Sequence, residues 1–335
     1  MLTFQFGYRI SDVLGSACGI IVNLMVLFVI RKTATKSTSA YGRMLIASAV
    51  YDTLYSLCEI LQQHQLLLTN GTLIIVPRGM EKDVGHEWCP IFLFFHLCLS
   101  NMSCFMLPAQ YFYRYRLLLD ATKVNGYTLL RAIFVSAVAA IVSAGFGVVG
   151  ESYSAKRGRE YYMSQMPDYW LPEGRNTYLI AIDTADLASD LHFKTTGAFA
   201  NISFIAAVFF IYKIVKYMNA TSNIRSEKTK KMQQQFTKVI IIQGIATLLF
   251  AFIPLSIVSM GITSHSDWEM LGLLVIIPLS WLPTANGMLS LFVIQRHRYF
   301  LLDSICCRIT IKVEPTKTSR TPASAFRNTT SSVLD

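Results

Sequence analysis

Seven long stretches of this 335-residue chain are almost empty of charge. A window of about 18 or more such residues spans the roughly 30 Å hydrocarbon core of a bilayer as a helix rising 1.5 Å per residue. Backbone amides in lipid have to be satisfied within their own segment, so spans of this kind are helices. The windows predict helices at about 8–30, 44–66, 88–113, 130–150, 195–217, 238–262 and 270–294. Composition agrees: 53% of residues are hydrophobic and only 15% charged, against about 25% charged in soluble domains. The expected fold class is all-α, a seven-transmembrane helix bundle. Residues 1–305 form the membrane domain, and the Ser/Thr-rich, aperiodic segment 306–335 reads as a disordered cytoplasmic tail.

The second window carries Asp52 and Glu59, two acids that are expensive in a membrane helix. Were it to stay out of the bilayer, every later loop would change sides. The basic residues test this. With seven spans and the N-terminus outside, 22 of the 30 Lys and Arg fall on the cytoplasmic side and 8 outside, five of those 8 in the long loop Glu151–Lys194. That asymmetry favours the N-terminus outside and the C-terminus in the cytoplasm. The formal charge of +10 is therefore concentrated where anionic inner-leaflet lipids would meet it. Nucleic acid is not an expected partner; membrane lipids are.

Polar groups within spans are the first functional candidates. Asn23, Asp52 and Asn286 fall at similar depth on the first, second and seventh helices and suit one shared hydrogen-bonded cluster, either structural glue or a switch. Glu59 and His96 lie in the outer halves of the second and third helices. They could line a ligand cavity or pair with each other, with a water-reached interfacial carboxylate as the alternative. Phe95, Phe199, Phe204, Phe252 and Trp281 would surround such a cavity, although aromatic residues on membrane helices also serve packing and lipid contact.

At the inner ends, Arg114 and Arg116 close the third helix between tyrosines, as snorkelling arginines do. Lys230 and Lys231 precede the sixth span on a stretch with Met232, Phe236 and Val239 at helical spacing. This predicts a helix projecting beyond the membrane and suited to docking a partner, with a solvated helix end as the bland alternative. A short helix is expected after the seventh span, ending at Cys306 and Cys307, which are juxtamembrane acylation candidates. Asn70 is the sequon both outside and off a span. No Gly-rich phosphate loop, metal-ligand pair or nucleophile motif is present, so no cofactor, metal or enzymatic activity is expected.

The order and spacing of several pieces resemble the nematode serpentine chemoreceptors, G-protein-coupled receptors of the str-like superfamily, class d. The pieces are Gly19–Asn23, Ser39–Asp52, Pro108–Arg116 with its Tyr-Arg-Tyr run, Lys228–Gln243 with Thr-Lys-Lys-Met-Gln-Gln-Gln, and Pro283 through Asn286 to Tyr299. The resemblance implies detection of a small-molecule odorant or pheromone, coupling to a heterotrimeric G protein, and residence in the plasma membrane of a sensory-neuron cilium. It implies that Arg114 governs activation, and that Arg116, Lys230 and Lys231 edge the G-protein site. Three features depart from the rhodopsin-like pattern. No acid precedes Arg114, the seventh helix reads Pro283-Thr-Ala-Asn286, and Glu151–Lys194 holds no cysteine to pair with Cys89. A channel or transporter subunit of a chemosensory complex is the alternative, and the basic-residue asymmetry weighs against it.

Overall fold

The computed structural model describes residues 2–33, 39–83, 86–120, 124–167, 170, 179–221, 227–268 and 271–305. Among these residues ten α-helices and three strands follow in the order α1 (Leu2–Thr33), α2 (Ser39–Gln62), β1 (His64–Thr69), β2 (Thr72–Pro77), α3 (Cys89–Leu119), α4 (Gly126–Ser154), α5 (Arg159–Met163), β3 (Ile180–Asp183), α6 (Leu187–Ala220), α7 (Glu227–Thr247), α8 (Ile253–Thr263), α9 (Leu271–Phe292) and α10 (Gln295–Ile305). Among the described residues, seven stretches are long and apolar enough to cross a bilayer: Phe6–Thr33, Ala40–Gln62, Cys89–Leu119, Gly126–Arg157, Leu187–Ala220, Gln233–Thr263 and Leu274–Phe292. Their outward faces carry bare hydrocarbon, with Phe134, Ile202, Ile205 and Met260 all exposed. In water such a surface would be a liability; against lipid it is a solvent match.

Local chemistry sets the helix ends and bends. Asn125 caps α4, its side chain accepting from the Thr128 amide at 3.1 Å, which satisfies one of the orphan donors of the first turn. Pro90 stands in the first turn of α3, where its missing N–H costs nothing. The sixth span is broken by a π turn, Leu248–Phe252, between α7 and α8. Pro254 follows at once and cannot donate to a carbonyl in the preceding turn, a frequent cause of such irregularity. α7 starts at Glu227, six residues before the apolar span begins at Gln233, so the sixth helix projects as expected. α10 supplies the expected short helix after the seventh span, while Cys306, Cys307 and the tail lie outside the described residues.

One element differs from the sequence-based expectation. The second span ends at Gln62, not near residue 66, and the apolar run beyond it folds into a three-stranded antiparallel sheet ordered β1-β2-β3. His64 pairs with Pro77 and Thr69 with Thr72 across the first ladder, and Thr72 with Asp183 across the second. Asn70-Gly71 forms the two-residue turn with both φ positive, 45° and 75°, the geometry that Asn-Gly hairpins adopt. Every strand position is buried, so the apolar run that resembled more membrane helix is a plug in one end of the bundle. β3 is tied to the end of α4 by Arg157, which pairs with Asp183 and, at 2.9 Å, with Asp186.

Two apolar clusters fill the interior. One lies beneath the sheet and includes Leu67, Ile74, Leu93, Phe105, Trp170 and Ile276. The other, toward the opposite end, includes Val29, Met44, Tyr111, Leu117, Val239 and Leu291. α4 and α6 approach closely at Gly150, where an added Cβ would meet the Ser189 backbone N at 2.8 Å. Gly150→Ala is therefore expected to cost about 1–3 kcal/mol, read as a lowered unfolding midpoint of the detergent-solubilised protein. Gly145→Ala, on the same helix with open space around it, should leave the midpoint unchanged or slightly raised.

Candidate functional site

Beneath the sheet lies a cavity of about 80 Å³, several times the ~10–15 Å³ that one water occupies. Leu66, Leu73 and Ile75 of the strands form its roof, and Val258, Ile276 and Leu279 of α8 and α9 line its walls. Tyr55, Glu59, His96, Asn101, His192 and Thr196 place polar groups around it. A mostly apolar cavity with a few converging polar side chains is the usual form of a small-molecule site.

Glu59 and His96 meet here, with Glu59 Oε1 3.4 Å from His96 Nδ1. The His96 ring is edge-on to that of His64 on β1, centroids 4.4 Å apart, and His64 Nε2 is 2.6 Å from Glu81 Oε2 in the loop after β2. Burial pushes the His64 imidazole below its usual value and the Glu81 carboxyl above its own. Burial thus favours the uncharged form of each partner in this contact. The chain Glu81–His64–His96–Glu59 thus runs from the sheet into the cavity. His192, on its far side, has Nδ1 2.7 Å from the Ser143 carbonyl.

The aromatic candidates are distributed differently. Phe95 points away from the cavity and is 55% exposed; on α3 it sits beside His96 in sequence, about 100° around the helix. Phe199 packs edge-to-face on Phe105 at 5.8 Å. Phe204 stacks on Phe252 at 5.1 Å, joining α6 to the π turn. Trp281 donates to Ser11 Oγ at 3.1 Å and holds α9 to α1. None of these five is a wall of the cavity. Asn70 occupies the hairpin turn with its own amide donating to Asp267 Oδ1.

At mid-depth a smaller chamber of about 20 Å³, one or two waters in size, is lined by Ser48, Tyr51, Asp52, Ser103, Gln243 and Asn286 among others. Asn286 Nδ2 reaches Asp52 Oδ1 at 3.4 Å, a long and weak bond. Asn23 does not join them: its amide donates to the Gly19 and Pro283 carbonyls at 2.9 and 3.0 Å, fastening α1 to α9. Gln243 on α7 takes the third place, donating to the Asn286 carbonyl and Ser290 Oγ, each at 3.1 Å.

At the far end Arg114 is fully buried. One guanidinium nitrogen donates to the Gln233 carbonyl at 2.7 Å and to Thr237 Oγ1 at 3.1 Å, both on α7. The guanidinium lies 4.2 Å over the Tyr41 ring, which itself stacks on Phe236. The Tyr41 face adds a cation–π contact to these bonds. Tyr111, one turn earlier on α3, donates to the Ile240 carbonyl at 2.9 Å. Arg116 and Lys231 are exposed and Lys230 half-buried. Sequence reasoning named Arg114 but not Gln233, Thr237 or Gln243, whose polarity resembles that of any solvated helix entry.

Over 155 residues the chain is 25% identical to serpentine receptor class delta-1 of Caenorhabditis elegans, an alignment covering 46% of this chain and 41% of that one. The matched region is thus less than half the length of that relative. A crystal structure of squid rhodopsin superposes with a TM-score of 0.63 at 14% identity, covering 91% of this chain and 86% of that one, which places the bundle in the seven-helix receptor fold. The model of the serpentine type 7TM GPCR chemoreceptor Str family matches residues 8–302. With that match over nearly its whole length, the chain belongs to the Str family of serpentine chemoreceptors, multi-pass membrane receptors and not enzymes.

Proposed function

We propose that this receptor binds a small environmental chemical or pheromone in the cavity under the sheet and activates a heterotrimeric G protein at the opposite end of the bundle. The sheet and the start of α1, joined by Tyr8 donating to the His64 carbonyl at 2.9 Å, then face outward. Arg114, α10 and the 22 cytoplasm-side basic residues face inward. Plasma-membrane residence, in a sensory-neuron cilium, fits this arrangement.

The single observation that carries the reading is the latch at Arg114. An outward swing of α7, opening the inner end for a G protein edged by Arg114, Arg116, Lys230 and Lys231, has to break both hydrogen bonds from the guanidinium to Gln233 and Thr237. Hydrogen bonds from a charged donor contribute about 1.5–3 kcal/mol each. Shifting a population from 1:99 to 99:1 takes about 5.5 kcal/mol of differential binding, so ligand binding and the latch are of comparable size. Gln243 couples α7 to α9 just below the cavity, and Asp52 with Asn286 form the polar layer between the two ends. Cys306 and Cys307, as acylation candidates, would tether the end of α10 to the inner leaflet. Asn70, on the outward hairpin turn, is a glycosylation candidate.

Three expected outcomes test this reading. Epitope tags at the two termini should be reached by antibody from opposite sides of the membrane, the N-terminal one in unpermeabilised cells. Thr237→Ala, which removes one acceptor from the latch, should raise ligand-independent G-protein activation by several-fold at unchanged surface expression. Arg114→Ala should keep surface expression yet lose ligand-dependent activation, and full activity in that variant would refute the role given to Arg114.

A further inference from the structure

We propose that the chemical recognised by the cavity is a small amine, held as its ammonium ion by Glu59; this rests on the receptor reading only for its signalling consequence, not for binding. Glu59 is 1% exposed, it lines the cavity, and the Tyr55 hydroxyl stands beside it, yet neither carboxylate oxygen is in a well-formed hydrogen bond. The nearest basic atom is His96 Nδ1 at 3.4 Å, itself without a hydrogen bond. A buried carboxylate left in this state is costly unless it takes up a proton or a cation pairs with it, and a bound ammonium would favour the second. No Lys or Arg is among the described residues lining the cavity, so the protein offers no fixed positive charge there. The neighbouring group on α1 is another acid: Asp12, also 1% exposed with Oδ1 unpartnered, lies within electrostatic reach of Glu59.

The surroundings therefore hold two carboxyl groups against imidazoles alone. Their complement is a compact cation with several N–H donors. A carboxylate or phosphate would set a further negative charge beside Glu59, and a ketone would supply no donor for it. An ammonium could donate to Glu59 and still have donors left for the Tyr55 hydroxyl or the His96 ring. The apolar remainder, Leu66, Val258, Ile276 and Leu279, asks for a short hydrocarbon body behind the nitrogen. A cavity that holds several waters has room for a few carbons.

The test uses the full-length receptor in detergent micelles and three shape-matched probes, isobutylamine, isobutanol and isobutyric acid, each at millimolar concentration. Isobutylamine should raise the unfolding midpoint in a dose-dependent manner while the alcohol and the acid do not. Glu59→Gln, which keeps shape and removes charge, should weaken amine binding on the order of 10- to 100-fold without lowering the midpoint of the empty protein. Should that variant fail to fold, Ile276→Trp, which fills the cavity from the opposite wall, has to abolish the amine effect instead. Equal stabilisation by the alcohol, undiminished amine binding in a folded Glu59→Gln protein, or no stabilisation by the amine would each overturn the proposal. G-protein nucleotide exchange in cells separates the two readings. Amine binding without exchange counts against receptor coupling and leaves the amine site standing; exchange driven by a neutral probe, with the amine inert, does the reverse.

Discussion

Hydrocarbon offers no partner to a backbone amide or to a buried charge, and every feature of this receptor answers that fact. Seven helices satisfy their own amides and turn apolar side chains to lipid. What polarity remains is drawn to the bundle axis and shared between helices: Asn23 with the Pro283 carbonyl, Gln243 with Asn286 and Ser290, Arg114 with Gln233 and Thr237. These bonds run between spans far apart in sequence, so they define which helices are neighbours as well as holding them. Even the sheet obeys the rule, since its apolar strands sit under cover and its ladders leave few amides bare.

Most of the helical framework was legible because hydropathy over about 18 residues is a signal that tertiary context rarely overrides. The sheet was not. Leu66–Leu68 and Leu73–Val76 are as apolar as a span, and a window of hydropathy does not distinguish a buried strand from a membrane helix. The local cue was present in Asn70-Gly71 between two apolar runs, the strongest short hairpin signal a sequence offers; read as a sequon, the asparagine concealed the turn. The candidate site was legible in part for a related reason. Glu59 and His96 stood out as ionisable groups in apolar windows, whereas the aromatic candidates did not, because which face of a helix looks inward depends on packing that hydropathy does not encode. Phe95 and His96 are adjacent in the chain and look in different directions.

Arg114 is restrained from more than one helix. Its acceptors on α7 include a backbone carbonyl and a hydroxyl, and its flat face rests on Tyr41. It also joins three elements at one point, since Tyr41 belongs to α2, Arg114 to α3 and Phe236 to α7. Displacing α7 therefore disturbs a stacked set and not one contact.

The π turn at Leu248–Phe252 adds one residue to the sixth helix. Each residue of an α-helix corresponds to about 100° of azimuth. The segment holding Gln233 and Thr237 and the segment holding Val258 and Ser259 are consequently phased independently, one aimed at Arg114 and the other at the cavity. Tightening that widened loop back into regular α-helix would rotate one half against the other by roughly a quarter of a revolution, so screw motion about a single axis is available to link events at the two ends.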